Sequence, residues 1–387
     1  MNTLEIGQIH RKEYGQSEPL VIAEAPGRVH LLGDHGEPRA GLFLSAAIDR
    51  YVRIAVSARK DASFRFYAVA LDEHKRATLT NLKYKREDRW SNYIKVAIQL
   101  FVRMGFIDKG LNFTIDGDVP QQIGLASSTA VEISTAVALK KFFHANISNR
   151  DLVAKLARMR EIFLGKSASL VDYEIIMNAK KGCFMIFDES VRDIRYIQAN
   201  LDEYKVLILD SRVPRIDVEH ELRQRRHDIR KGLEILSQHR PGLNFRNFTS
   251  ADFIEADGNL PETIRRRSFF VVQELKRVSE VEEAIKKHDI QNFSRALFHS
   301  HEGLRDLLEV SCPEIDWLVK RSQETEGVAG SRMTGLGFGG CTFVFIKANA
   351  IANYQKRLED YERIFGFRPI IYEMDTADGA RVLEGDP

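Results

Sequence analysis

Between residues 20 and 70 the apolar positions come in short runs separated by polar and turn residues. The segments PLVIAEA, LFLSAAI and YVRIAVSA are rich in β-branched residues and predict three strands with turns between them. The period changes at NYIKVAIQLFVRMG (92–105), where apolar residues recur at helical spacing and Gly105 closes the element. LNFTIDGDVP (111–120) reads as a strand followed by a turn. STAVEISTAVALKKFF (128–143) reads as a second amphipathic helix, with Val131, Thr135, Ala138 and Phe142 on one face. KGCFMIFD (181–188) and YKVLILDS (204–211) have the continuous apolar character of buried strands. From about 215 to 325 the chain is mostly helical and heavily charged, and the runs RQRRH (223–227) and RRR (265–267) predict solvated helix faces. Strands return at CTFVFIK and FRPIIYEM. The mixture is α+β. The change from strands to helices near 195–205 divides the chain into expected domains of residues 1–200 and 201–387.

Length agrees with that division, because 387 residues exceed one ordinary core. The net charge of +2 gives no support for a nucleic-acid or membrane partner. Cys183, Cys312 and Cys341 are scattered without metal-ligand or disulfide spacing, which fits a reducing compartment. The first residues lack the apolar segment of a signal peptide, and no apolar run is long enough to span a bilayer. The expectation is a cytoplasmic protein acting on small molecules.

Four stretches carry candidate chemistry. GSRMTGLGFGGCTFVFIK (330–347) holds five glycines in its first eleven residues. Glycine inside an element costs about 0.5–1 kcal/mol relative to alanine. Such a cluster marks either a tight loop or a backbone cradle for an anion. DGDVPQQIGLASSTAVE (116–132) runs from a strand through a proline turn and Gly124 to Ser127 and Ser128, which open a helix as capping residues. A helix start suits a phosphate, although the spacing is not that of a Walker loop. APGRVHLLGDHGEPRAGLFLSAAID (25–49) reads as strand, Pro-Gly turn and strand. It draws Arg28, Asp34, His35 and Glu37 together as a polar pocket for a hydroxylated ligand. In REIFLGKSASLVDYE (160–174), Asp172 is either a helix cap or a general base, and taken alone the cap is the better reading.

In this order the blocks resemble the GHMP kinases, and within them the galactokinases. PGRVHLLGDHGEPRAGLFLSAAID is similar to the galactokinase signature, and RWSNYIK (89–95) is similar to a segment whose aromatic residue borders adenine. GDVPQQIGLASSTAVE, GKSASLVD and GSRMTGLGFGGC resemble the three remaining motifs. The resemblance implies a GHMP two-domain fold: a ribosomal-protein-like N-terminal domain with a left-handed βαβ unit, and a ferredoxin-like C-terminal domain. It implies ATP and Mg²⁺ as cofactors and a sugar hydroxyl, C1, as phosphoryl acceptor. Asp172 would be the base and Arg28 its partner on the transferring group. Trp90, Tyr93, Gly124, Leu125, Ala126, Ser127 and Ser128 would bind the nucleotide. Arg28, Asp34, His35, Glu37, Ser169, Asp172, Gly337 and Gly339 would bind the sugar. Ser128 and Glu161 would hold the metal, with Glu132 as runner-up.

The departures from the family pattern cluster at two places. In the sugar pocket Glu37 stands for an aspartate and Ser169 for a glycine. Pro38 and Arg39 change the rim, and a tyrosine before the RR pair is missing. Galactose is therefore expected to be a poor substrate. On the phosphate side Gln122 stands for a glycine, and Arg160 occupies the usual metal-binding glutamate position. The alternatives are a non-catalytic sugar and ATP sensor, or a kinase for another small alcohol.

Overall fold

The computed structural model describes residues 3–16, 19–35, 41–199, 203–214, 218–243, 245–256 and 258–385. Glu37, Pro38 and Arg39 lie outside the described residues. The first part of the chain runs α1 (Thr3–Tyr14), β1 (Leu20–Leu32), β2 (Leu42–Ala58), β3 (Ser63–Ala68), β4 (Glu73–Thr78), α2 (Ser91–Arg103), β5 (Leu111–Gly117), α3 (Ser127–Phe142), α4 (Asn149–Leu164), α5 (Leu170–Asn178), β6 (Cys183–Asp188) and β7 (Asp193–Gln198). The second part runs β8 (Tyr204–Asp210), α6 (Val218–His239), α7 (Ser250–Glu255), α8 (Glu262–Lys286), α9 (Ile290–Asp306), α10 (Pro313–Gln323), β9 (Val328–Thr334), β10 (Cys341–Lys347), α11 (Ile351–Arg357), α12 (Glu359–Phe365), β11 (Ile370–Met374) and β12 (Arg381–Gly385).

Two sheets result. The larger has strand order β12-β1-β2-β5-β3-β4, with β6 added to the first residues of β2 and β7 added to β6. Its pairs are antiparallel except β3 with β5. The smaller sheet, β11-β8-β10-β9, is antiparallel throughout. The last strand, β12, therefore returns to the sheet that the first strand began.

The expected turns at Pro26-Gly27 and at Asp49-Arg50 are not turns. β1 and β2 each run unbroken through them, and their register slips where Pro26 faces Tyr51 and Gly27 faces Ile48. This is a bulge, a place where a residue without an N–H is tolerated inside a sheet. It bends β1 so that the Arg28 N–H leaves the ladder and bonds Leu125 O at 3.1 Å.

The helix at 128–143 also differs from expectation. α3 is buried without a break from Thr129 to Leu139, so it is a central helix rather than an amphipathic one. Its small residues let β1 and β2 pack on one side and α2, α4 and α5 on others. The charge runs are only partly solvated. Arg267 is buried and pairs with Asp228 of α6, and with Glu309 at 2.8 Å. Arg225 lies against the Phe338 ring and donates to Glu309 O at 3.1 Å.

Candidate active site

A cleft of about 1490 Å³ is lined from both parts of the chain. On its floor β1 presents Arg28 and His30, two residues apart and so on one face of the strand. The first turn of α5 presents Asp172. Arg28 Nε and Nη2 donate to the two Asp172 oxygens at 2.7 and 3.0 Å. His30 Nε2 donates to Asp172 Oδ1 at 2.9 Å, while its Nδ1 accepts from the Ser45 hydroxyl at 2.8 Å. Burial and the neighbouring Arg28 push the His30 pKa down, so the ring is neutral. Burial acts to raise the Asp172 pKa, but Arg28 and His30 outweigh it and hold the carboxyl well below the usual range. Asp172 is not the helix cap that its position alone suggested; its side chain faces Arg28 and His30.

Arg28 Nη1 also donates to Gly124 O, which joins this cluster to the loop before α3. In that loop Gln122, Gly124 and Ala126 all take positive φ. Alternating left-handed residues turn successive N–H groups to one side, the form of an anion nest. α3 begins at Ser127 with Ala126 at its N-cap and no side-chain cap. The expected serine caps are therefore not made, and among the described residues the N–H groups of the first turn keep no side-chain partner. The glycine-rich segment forms the turn between β9 and β10. Gly335 has φ 82°, and a Cβ on it would lie 3.2 Å from Gly124 Cα and O. Cys341 Sγ donates to Ile123 O at 3.1 Å. The two glycine-bearing loops thus pack backbone to backbone.

Arg160 of α4 fills the space beside the start of α3. Its Nη1 donates to Glu132 Oε1 at 2.8 Å, and Nη1 and Nη2 both lie 3.4 Å from Ser128 Oγ. The guanidinium sits over the Tyr93 ring at 5.4 Å, and Tyr173 donates its hydroxyl to Glu132. Burial pushes the Glu132 carboxyl up to about 7 against the pull of Arg160 and Tyr173. Burial also works against the Arg160 charge, but Glu132 and Tyr173 outweigh it and the cation is retained. Ser128 and Glu161 both line the cleft, yet the Glu161 carboxylate accepts from Arg158 at 3.0 Å. Trp90 and Tyr93 line the far end of the cleft, where Trp90 Nε1 donates to Glu73 at 2.6 Å.

At the opposite end Asp34 is buried. It accepts from Arg332, and from Gly335 N at 3.2 Å. His35 Nε2 donates to Gly335 O at 2.8 Å. Arg332 is fully buried and is shared with Glu274 and Ser300. Ser169 stands at the N-cap position of α5 without a side-chain cap bond and lines the cleft, as does Leu222 of α6. Gly337 and Gly339 do not line the cleft: a Cβ on Gly337 would strike Val310 O, and one on Gly339 would lie 2.9 Å from Val213. Gly335 and Leu336 line it instead. Sequence reasoning passed over His30, Arg332 and Tyr173. Only the alternation of Arg28 and His30 along a strand could have pointed to the first.

The galactokinase galactose-binding signature matches residues 8–58, the GHMP kinase N-terminal domain residues 92–178, and the GHMP kinase C-terminal domain residues 281–361. A Treponema pallidum chain with a provisional galactokinase name is 37% identical over 97% of this chain and 95% of its own length. The galactokinase of Thermosipho africanus is 32% identical over 93% and 99%, and that of Bacillus subtilis 30% over 99% and 99%. The Lactococcus lactis galactokinase solved with galactose superposes with a TM-score of 0.90 at 24% identity, covering 98% of this chain and 99% of the other. Methanococcus jannaschii mevalonate kinase gives 0.66 at 19%, covering 93% and 99%.

The fold and the cleft are those of a GHMP kinase, with its two-domain architecture. Within that class the chain belongs to the galactokinase family and is an ATP-dependent sugar kinase. No helix among the described residues is long and apolar enough to cross a membrane.

Proposed function

We propose that the enzyme transfers the γ-phosphoryl group of ATP to the C1 hydroxyl of a hexose bound over Arg28 and Asp172. The observation that carries this reading is the Arg28–Asp172–His30 cluster, tied through Arg28 to Gly124 in the loop before α3. Adenine lies toward Trp90 and Tyr93, and the phosphates rest on the N–H groups from Gly124 to Ser128. The sugar lies toward Asp34, His35 and Ser169.

Asp172, held ionised, accepts the hydrogen bond of the attacking hydroxyl and so aims the oxygen lone pair at Pγ. As the O–P bond forms and the bridge to the β-phosphate breaks, the hydroxyl proton passes to the carboxylate and ADP leaves. Arg28 balances the charge gathered on the transferring group. Positioning and charge compensation of this kind supply most of the acceleration in phosphoryl transfer.

Kinases of this class take ATP with Mg²⁺, and the metal would neutralise phosphate charge. On this reading the described residues do not form a site for it. Arg160 stands against Ser128, Glu132 is locked to Arg160 and Tyr173, and Glu161 is turned to Arg158. The described residues hold no group of three or more His, Cys, Asp or Glu able to bind a metal ion. A division near residue 200 into two domains, with β12 returning to the first, and work in the reducing cytoplasm complete the reading. Cys183, Cys312 and Cys341, none of them in a disulfide among the described residues, suit that compartment.

The relatives named as galactokinases make galactose the reference acceptor. Sites that bond substrate hydroxyls discriminate strongly, because a wrong analogue leaves buried polar groups unpaired. With Ser169 and Leu222 lining the cleft, we expect galactose to be turned over with kcat/KM about 10²-fold below the best hexose, uronic acid or amino sugar. A sugar panel with ADP release as readout tests this, and phosphorus NMR locates the phosphate on the product. Galactose as the best acceptor would overturn the specificity; no turnover with any sugar would sink the kinase mechanism.

A further inference from the structure

We infer that Arg160 takes the place of a protein-held divalent cation at the phosphate end of the cleft, so that the enzyme binds the triphosphate without ligating a metal through its own side chains. This rests on the nucleotide placement just proposed. The guanidinium stands where such an ion would have to be. Both terminal nitrogens lie 3.4 Å from Ser128 Oγ, the hydroxyl that a metal would use. A magnesium ion coordinated to that oxygen at about 2 Å would meet two cationic nitrogens at hydrogen-bond range, with little water between them. One site does not hold both charges.

Arg160 is also equipped to replace the ion. A guanidinium carries five N–H donors in a fixed fork, suited to phosphate oxygens. Its Nη1 donates to Glu132 at 2.8 Å, both terminal nitrogens reach Ser128 Oγ only at 3.4 Å, and the buried Nε has no hydrogen-bond partner among the described residues. The side chain is 13% exposed, so it reaches the cleft from a mostly dry position. Tyr93 on one side and the Glu132–Tyr173 pair on the other fix its direction. The uncapped first turn of α3 adds its N–H groups next to it. A nucleoside triphosphate therefore meets a fixed cation and a helix start together. Any metal it carries is held by its own oxygens on the solvent side.

The test is calorimetric binding of a non-hydrolysable ATP analogue to the full chain, once with Mg²⁺ and once with excess EDTA. For the unaltered enzyme we expect the two Kd values to agree within about threefold. Arg160→Ala should weaken the EDTA measurement at least about tenfold. Arg160→Glu should bind the analogue only when Mg²⁺ is present. Loss of binding by the unaltered enzyme in EDTA, with tight binding in Mg²⁺, overturns the inference while leaving the kinase mechanism intact. Absence of binding under both conditions overturns the nucleotide placement as well. The comparison of the two conditions on unaltered protein stands even where a variant fails to fold.

Discussion

Asp172 takes three hydrogen bonds on its two oxygens, at 2.7, 3.0 and 2.9 Å. Replacing it with asparagine keeps the volume and one acceptor but removes the charge and the proton sink. We expect Asp172→Asn to lower kcat by about 10²-fold or more while the analogue's Kd shifts little. Steady-state kinetics beside calorimetry checks this, and near-normal kcat would remove Asp172 from the chemistry. The pH sign follows from the direction of the shift. Arg28 and His30 depress the carboxyl pKa, so its base form persists at neutral pH, and any loss of kcat/KM from protonating it falls below about pH 4. An acid limb above that value that disappears in Asp172→Asn would contradict the assignment. Arg28 and Asp172 were legible because each sits in a motif whose neighbours are ordered. His30 was not, since a histidine on a strand is more often a satisfied core residue and nothing local marks its partner 142 positions away.

The turn between β9 and β10 and the start of α3 behave as one unit. Gly335 has φ 82° and stands against Gly124. Alanine there would be left-handed, at about 1 kcal/mol or more, and its Cβ would push the loop that Arg28 and α3 share. We expect Gly335→Ala to raise the KM for ATP about tenfold and to lower Tm by about 2–4 °C. An unchanged KM with a lowered Tm would mean that the contact serves stability alone. The glycine cluster announced close backbone approach in the sequence, but not what approaches. The missing cap on α3 was hidden for a related reason. Two serines in sequence look like capping residues, whereas here the left-handed Ala126 takes the N-cap position and starts the helix at Ser127. Pro26-Gly27 misled in the opposite direction, because a bulge accepts a proline that otherwise signals a turn.

Across the whole molecule the first and second parts of the chain are tied by charged side chains that local pattern could not pair. Arg195 of β7 reaches Glu282 of α8 at 2.9 Å, and Arg332 of β9 reaches Asp34. The resemblance to one family made the two-domain outline readable, whereas β12, five residues at a sheet edge, gave no signal that it would return to β1. Charge runs looked like solvent faces because a run carries no information about its partner. One such tie is open to measurement. Arg246, in the segment after α6, donates to both oxygens of Asp188 at the end of β6 at 2.6 and 2.8 Å, and to Gly41 O at 3.1 Å. The guanidinium, with help from Ser190, pulls the Asp188 carboxyl down to about 2. A depressed carboxyl contributes stability that is present above its unfolded value near 4 and is lost as pH falls toward 2. Arg246 is partly in water, so the contribution is about 1 kcal/mol rather than the full value of the shift. We expect Arg246→Ala to lower unfolding free energy by about that much at pH 7, measured by urea denaturation. The gap between variant and unaltered protein should narrow as pH is taken from 4 to 2. A gap that stays constant over that range would mean that Arg246 acts through its bond to Gly41 and its packing, and that Asp188 contributes nothing through its charge.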